Sequence, residues 1–404
     1  MTSHHTTPIE QSSSDGKSQG AQVLAIAGAH FIHDTYTAFV APLLPLIIEK
    51  LSLSLTMAGS LTAFMQIPAI LNPFIGYLAD KVSLRYLVIF APAVTATLIC
   101  GLGFAPDYLS LAAILFVTGI SVAAFHAPAP AMVGRISGKR IGRGMSFYMA
   151  GGELGRTLGP LLAVWAVSVW SLDGFYRVAV LGWAASLILL WRLKDTPGRT
   201  EKPSSLRSIV PKLKSLYLPL TIIIFLRSFM SVSLTTYLPI FMNSEGFSIF
   251  IAGAALSIME FAGVGGALIS GTISDRLGRK PVLVIVTVVS SLFTWAFLNV
   301  EGWLIVPVLL ILGFTGISVG PVFLALVQDH VPNNRAVGNG LFISMSFLIR
   351  SLAMLLVGMA GDAIGLRAVY FWSAIIALLS IPAILALPQD GKIVSSQYPP
   401  VPHF

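Results

Sequence analysis

Apolar stretches recur along most of the chain at nearly regular intervals. Each contains about 20 mostly apolar residues, the length that an α-helix needs to cross the hydrocarbon core of a bilayer. We count twelve of them, at residues 21–48, 56–79, 86–105, 109–134, 143–169, 175–193, 216–242, 249–273, 281–299, 303–329, 336–361 and 367–387. The pattern therefore predicts an all-α membrane protein with twelve transmembrane helices in two six-helix bundles.

The composition agrees with a protein surrounded by lipid. Hydrophobic residues make up 55% of the chain and charged residues 10%, with a mean hydropathy of +0.84, whereas a soluble protein has about 25% charged residues. The single cysteine, Cys100, excludes an internal disulfide. The sequence contains neither a nucleophile with a catalytic partner nor a phosphate-binding loop. We therefore expect no enzymatic activity and no cofactor, and a proton gradient as the energy source.

Basic residues are concentrated in the loops that alternate along the chain. Because such loops stay in the cytoplasm, we expect a multi-pass inner-membrane protein with both termini cytoplasmic. The net charge of +8 follows from these loops and requires no nucleic acid partner. The predicted domains are a disordered tail at 1–20, a bundle at 21–193, a linker at 194–215, a second bundle at 216–387 and a tail at 388–404.

A short motif occurs once in each half of the chain. Gly76, Asp80 and Lys81 follow the second span, and Gly271, Asp275 and Arg276 follow the eighth. Duplicated halves place a substrate cavity between them near the middle of the bilayer.

Both copies resemble the loop signature of the major facilitator superfamily. The residues that carry the resemblance are Gly76, Asp80, Lys81 and Arg85 in the first copy and Gly271, Asp275, Arg276 and Arg279 in the second. The first copy departs from the signature at Ser83 and Leu84. A glycine lets two helices approach closely, and an aspartate at a helix end pairs with nearby cations. The resemblance therefore implies a latch that holds one conformation of a transporter.

The fifth span resembles the antiporter signature of the same superfamily. It contains Gly155, Gly159 and Pro160, while Ala163 and Val164 stand where the signature has glycines. Small residues four apart allow close helix packing, and proline removes a backbone hydrogen bond and kinks a helix. We expect these three residues to serve packing and kinking.

Further residues resemble the fosmidomycin-resistance branch of the superfamily. They are His30, His33, Asp34, Gln66, Phe125, His126 and Arg227. The acid that this branch commonly has soon after the histidine of span four is absent here. The resemblance implies drug efflux and antibiotic resistance, with a small molecule and protons as partners.

Ionisable side chains inside a bilayer are costly unless they are paired or face water, so each is a functional candidate. His30, His33, Asp34 and Thr37 share one face of the first span by helical spacing. A carboxylate removed from water holds a proton more readily. The candidates for proton coupling are Asp34, Glu260, Glu153 and His33.

The cationic side chains are the candidates for contacting an anionic substrate. Arginine binds carboxylate or phosphonate with two parallel hydrogen bonds. The predicted substrate-binding residues are Arg227, Arg350, Arg156, His30, His126, Gln66 and Tyr237. An alternative is that these charges form internal salt bridges that hold helices in register and never contact cargo.

We hypothesise a monomeric, proton-coupled antiporter that exports a small organic compound by alternating access. Three alternatives remain open. The first is a proton-driven importer or a facilitator of an organic anion, which the same residues allow. The second is a lipid flippase or scramblase, which needs a cavity open sideways to acyl chains. The third is a non-transporting receptor, which shows no flux.

Overall fold

The structure is a computed structural model that describes residues 8–81, 84–137, 141–193, 210–317, 319–330 and 335–388. Within these ranges every regular element is helical. The helices of the first half are α1 (Pro8–Thr37), α2 (Val40–Leu51), α3 (Leu55–Gln66), α4 (Asn72–Lys81), α5 (Arg85–Cys100), α6 (Tyr108–His126), α7 (Pro128–Ser137), α8 (Ile141–Trp170) and α9 (Val180–Arg192). Those of the second half are α10 (Val210–Thr235), α11 (Leu238–Ser244), α12 (Ile249–Leu277), α13 (Arg279–Phe297), α14 (Ile305–Ile317), α15 (Val319–His330), α16 (Arg335–Ile364), α17 (Leu366–Leu378) and α18 (Ile381–Leu385).

The predicted spans coincide with these helices. In the described part of the chain, 11 helical segments are long and apolar enough to cross a membrane. The remaining predicted span corresponds to α8, which has 30 residues but carries Glu153 and Arg156 near its middle. These two charges lower the mean hydropathy of α8, but the helix is still long enough to cross a membrane. The predicted twelve-helix membrane fold is confirmed.

The helices extend into two segments that the sequence assigned elsewhere. Helix α1 begins at Pro8, inside the predicted tail, and α10 begins at Val210, inside the predicted linker. Residues 194–209 of that linker and residues 389–404 of the second tail lie outside the described residues.

Helices α1 and α8 pack along much of their lengths. Glycines make this approach close, because a Cβ at Gly151 would overlap the carbonyl oxygen of Ala27 and one at Gly155 would overlap that of Phe31. Gly159 continues the contact, with the carbonyl oxygen of Thr35 2.8 Å from the position of its missing Cβ. The small residues of α8 therefore fix the distance between the first and fifth spans.

The packing within the two halves repeats. Gly119 of α6 lies against the backbone carbonyl of Met65, and Gly313 of α14 lies against that of Met259. The same spacing in sequence separates both the two glycines and the two methionines. The internal repeat therefore extends from the sequence to individual interhelical contacts.

The two halves contact each other mainly through α3 with α16 and α8 with α12. One hydrophobic core draws on both halves and includes Leu43, Tyr237 and Met354. Two further cores belong to one half each, around Met132 in the first half and around Leu326 in the second. The halves thus share a core at one end of the bundle and have separate cores at the other.

The shared end is also held by hydrogen bonds between the halves. The Asp362 carboxylate at the end of α16 accepts the backbone N–H groups of Leu55 and Thr56, both at 2.8 Å, and the Thr56 hydroxyl. The Tyr237 hydroxyl lies 2.8 Å from the carbonyl oxygen of Met354 and 3.2 Å from that of Leu55. Asp362 therefore caps the N-terminus of a helix in the opposite half.

Candidate functional site

Asp34 lies at the centre of a group of three imidazoles. We call these residues the Asp34 cluster: His30, His33, Asp34 and His126. Its carboxylate is 3.1 Å from His126 Nε2, 3.2 Å from His33 Nδ1 and 3.3 Å from His30 Nε2. His30, His33 and Asp34 are at most 4% exposed. Two of these contacts join residues of α1 itself. The third is made by His126 at the end of α6, which approaches the Asp34 side of α1.

The outer ring atoms of these histidines have partners of their own. His30 Nδ1 lies 2.7 Å from the carbonyl oxygen of Tyr148, whose ring stacks on the imidazole at 4.0 Å. His126 Nδ1 lies 3.1 Å from the carbonyl oxygen of Val122. His33 Nε2 lies 3.2 Å from the Thr95 hydroxyl. Each ring is therefore held in a fixed orientation around Asp34.

Helix α8 brings a second set of charges to this cluster. Arg156 forms an ion pair with Glu153 one turn away, and its Nη1 lies 3.7 Å from Asp34 Oδ2. The Arg156 side chain is 42% exposed, compared with 3% for that of Asp34. Gly152 makes room for the arrangement, because a Cβ there would lie 2.6 Å from His30 Nε2 and 3.0 Å from Asp34 Oδ2.

The second half contributes charges to the same region. Arg156 and Arg350 both act electrostatically on Glu260 of α12, and Arg156 interacts in this way with Glu153, Asp34 and Glu260 together. Arg350 of α16 donates a hydrogen bond of 2.6 Å to the Thr235 hydroxyl. We call these five residues the central charge cluster: Asp34, Glu153, Arg156, Glu260 and Arg350.

Three predicted substrate contacts occupy other places. Arg227 is 7% exposed and donates to the Thr287 hydroxyl on α13, an arrangement that parallels His33 with Thr95 in the first half. Tyr237 is fully buried at the contact between the halves. Gln66 is half-buried, and its Oε1 atom has no hydrogen-bond partner among the described residues.

The predicted latch is described in its second copy. Arg279 forms an ion pair of 2.6 Å with Asp275 and one of 3.3 Å with Asp329 at the end of α15. Arg276 is exposed, and Gly271 has open space around it. The side chains of Gly76, Asp80 and Lys81 lie outside the described residues, and Arg85 is half-buried.

Sequence reasoning missed several residues of the site and of the contact between the halves. Thr95 lies in an apolar helix with no periodic signal, and Tyr148 contributes a backbone carbonyl, which every residue has. Asp362 stands one residue beyond the predicted end of the eleventh span. Tyr148 lies eight residues before Arg156, about 80° away around a helix, and this offset was the one available signal.

Comparison with known proteins gives the family. A model of the Major Facilitator Superfamily matches residues 26–354. The chain belongs to this superfamily. Its members are transporters rather than enzymes, as the motifs of the two loops predicted, and the chain is therefore a multi-pass secondary transporter.

Relatives of this transporter match over nearly its whole length. The fosmidomycin resistance protein of Escherichia coli (strain K12) is 27% identical over 381 residues, which cover 91% of this chain and 92% of that protein. An uncharacterized MFS-type transporter of Bacillus subtilis (strain 168), YfnC, is 24% identical over 386 residues. The match covers 92% of this chain and 94% of YfnC.

Solved structures show the same fold at lower sequence identity. A mutant form of the nucleoside transporter NupG superposes with a TM-score of 0.78 at 15% identity, and the match covers 91% of this chain and 99% of NupG. A bacterial homologue of the human lysosomal transporter Spinster, in an inward-facing and unoccupied conformation, superposes with a TM-score of 0.76 at 14% identity. The match covers 92% of this chain and 98% of that protein.

Proposed function

We propose that the chain is a proton-coupled antiporter that exports a small organic compound, with anionic cargo as the preferred class. The observation that carries the proposal is the central charge cluster, in which Arg156 of the first half and Arg350 of the second both act on Glu260. Helices α8 and α12 of opposite halves pack against each other, so we infer that a cargo bound between the halves contacts charges of both.

Glu260 acts in this proposal as an electrostatic tie between the halves. Ionised, it neutralises Arg156 and Arg350 and favours the arrangement in which α8 and α12 are close. A proton on Glu260 weakens the tie, and an anionic cargo on the two arginines replaces it. Because the halves move only when a proton or a cargo replaces the tie, the two ligands cross in turn, which is the requirement for exchange.

Asp34 belongs to the same proposal as a second proton acceptor. It lies 3.7 Å from Arg156 and is surrounded by imidazoles. A proton taken up there leaves Arg156 with Glu153 as its remaining close counter-ion. Protonation of the Asp34 cluster and the availability of Arg156 to cargo are therefore linked.

The separate cores of the two halves support alternating access. The halves share apolar packing at the end that contains Tyr237 and Asp362, and they have separate cores at the other end. With the positive-inside rule, the end with separate cores faces the cytoplasm, both termini lie there, and the protein resides in the inner membrane. The arrangement is that of an inward-open carrier.

The relative named for fosmidomycin resistance supplies a test compound. Export of this phosphonate drug would agree with arginine as the contact residue, because guanidinium groups bind phosphonate oxygens in a bidentate manner. Drug efflux, and with it antibiotic resistance, is accordingly the role that we propose.

Proteoliposomes test the proposal. Fosmidomycin accumulation is measured in vesicles whose lumen is more acidic than the medium, with the protein in the orientation that exports into the lumen. We expect the wild-type protein to concentrate the drug. The gradient-driven rate of Glu260→Gln should be lower than that of the wild type by at least about ten-fold. Glu245→Gln, at an exposed carboxylate that pairs with Arg367, is the matched control. Equal gradient-driven transport by Glu260→Gln would contradict the proposal.

A further inference from the structure

Two histidines of the Asp34 cluster present lone pairs to each other. His30 Nδ1 faces the carbonyl oxygen of Tyr148 and His126 Nδ1 faces that of Val122. A carbonyl oxygen only accepts hydrogen bonds, so each Nδ1 carries the ring proton of the neutral imidazole. When both rings are neutral, the two Nε2 atoms are therefore unprotonated, and they lie 3.3 Å apart.

The Asp34 carboxylate completes a set of three acceptors without a hydrogen between them. Its oxygens lie 3.3 Å from His30 Nε2 and 3.1 Å from His126 Nε2. Three lone-pair donors at such distances repel each other unless a proton or a metal ion lies between them. The ligand atoms of these three residues all lie within 4.8 Å of one another.

We propose that His30, Asp34 and His126 form a binding site for a divalent transition metal ion of the Zn²⁺ class, which competes with the proton for Asp34. Zinc binds imidazole nitrogen at about 2.0–2.1 Å in tetrahedral geometry, which separates neighbouring ligand atoms by about 3.3 Å. The 3.3 Å between the two Nε2 atoms matches this value, and the Asp34 carboxylate presents Oδ2 to His30 at 3.3 Å and Oδ1 to His126 at 3.1 Å. Three protein ligands leave one coordination position for water or an anionic ligand.

The surroundings have the features of a metal site. A histidine that binds metal donates its other ring N–H to a carbonyl or carboxylate, which fixes the ring and raises its basicity. Both histidines do so here through Tyr148 and Val122. Imidazole and carboxylate together suit zinc and its neighbours in the first transition series better than calcium or magnesium.

Charge and access also permit the ion. Arg156 is the nearest cation, but it is paired with Glu153 and 42% exposed, so the pair neutralises itself at the edge of the site. Asp34 supplies the one negative charge of the ligand set. The His126 side chain is 31% exposed, whereas those of His30 and Asp34 are 5% and 3% exposed. The ion enters past His126.

Cobalt substitution tests this site independently of transport. The full-length protein carries His4→Gln, His5→Gln and His403→Gln, which remove the histidines near the chain ends. Co²⁺ is titrated into this purified protein, and its visible absorption spectrum is recorded. We expect one equivalent of Co²⁺ with the intense bands of tetrahedral coordination, and displacement of Co²⁺ by Zn²⁺.

Two substitutions decide whether the ion occupies the proposed place. His126→Gln should weaken binding at least about 100-fold. His330→Gln is the matched control and should leave Co²⁺ binding unchanged. His330 likewise bonds the carbonyl oxygen four residues earlier, but it lies on α15, outside the proposed site. Should His126→Gln fail to fold, X-ray absorption of the parent Co²⁺ complex should show two imidazole ligands. An octahedral spectrum, binding unaffected by His126→Gln or fewer than two imidazoles would overturn the proposal.

Discussion

At the scale of single residues, the site depends on which partners surround each ionisable group. Asp34 is 2% exposed and would be costly without its imidazoles and Arg156, since an unpaired buried charge costs several kcal/mol. Helical spacing predicted that His30, His33 and Asp34 lie together. It could not predict His126 as a partner, because the approach of α6 to α1 is set by packing between helices and not by either segment alone.

Removal of the Asp34 charge should uncouple transport from the proton gradient. Asp34→Asn keeps the size of the side chain but cannot take up a proton, so we expect gradient-driven fosmidomycin transport to fall at least about ten-fold with an unchanged elution profile. Asp173→Asn, at an exposed carboxylate that pairs with Lys50, should transport normally. Undiminished gradient-driven transport by Asp34→Asn would remove Asp34 from the mechanism.

Arg350 should determine the affinity for anionic cargo. A hydrogen bond to a charged group contributes about 1.5–3 kcal/mol, so Arg350→Ala should weaken fosmidomycin binding by about 10- to 100-fold in a calorimetric titration. Arg367→Ala, which removes a surface ion pair with Glu245, should leave the affinity unchanged. If Arg350→Ala weakened a neutral cargo equally, the arginine would not recognise charge.

The contrast with Arg227 shows a limit of sequence analysis. Both arginines occupy apolar spans and look alike in the sequence. Arg350 donates a hydrogen bond to Thr235 and interacts electrostatically with Glu260, whereas Arg227 is buried against Thr287 within its own half. Which neighbour a side chain meets depends on the rotation of the helix about its axis, and that rotation is fixed by packing.

At the scale of elements, α8 holds the site together because its glycines set the distance to α1. The spacing of Gly155, Gly159 and Pro160 predicted a packing face. The partner of that face was not predictable, since small residues allow any helix to approach. The structure identifies the partner as α1, so that Gly152 lies beside His30 and Asp34.

A methyl group at Gly155 should disturb this contact. Gly155→Ala places a Cβ on the carbonyl oxygen of Phe31, and overpacking of this kind costs about 1–3 kcal/mol. We expect the thermal midpoint in detergent to fall by several degrees. Gly28→Ala on α1 has open space and should raise the midpoint or leave it unchanged, because alanine favours helix. Equal midpoints for both variants would contradict the proposed packing.

At the scale of the whole molecule, the periodic apolar runs and the duplicated loops were enough to predict the twelve-helix fold. They carried no information on how the halves meet, because contacts between halves differ among the states of a transporter. Asp362 illustrates this point. In sequence it is one acid at the end of a span, and in the structure it caps α3 of the opposite half.

Loss of this cap should open the shared end of the bundle. Leu109 at the start of α6 and Trp303 just before α14 are both highly exposed. Spin labels on Leu109→Cys and Trp303→Cys, in a Cys100→Ser background, report the distance between the halves. Asp362→Ala should shift the distribution toward longer distances. Asp173→Ala, which breaks a pair within the first half, should leave the distribution unchanged. A distribution unaffected by Asp362→Ala would show that the cap does not hold that end closed.

The central claim is that charges from both halves surround one water-filled chamber inside the bilayer. Its most direct test compares adjacent positions on α12 in a Cys100→Ser background. Glu260→Cys should react rapidly with a charged, membrane-impermeant thiol reagent, and fosmidomycin should slow that reaction. Phe261 is 63% exposed, and we expect it to face lipid, so Phe261→Cys should remain unreactive. A Glu260→Cys protein that resists the reagent while Phe261→Cys reacts would contradict the account.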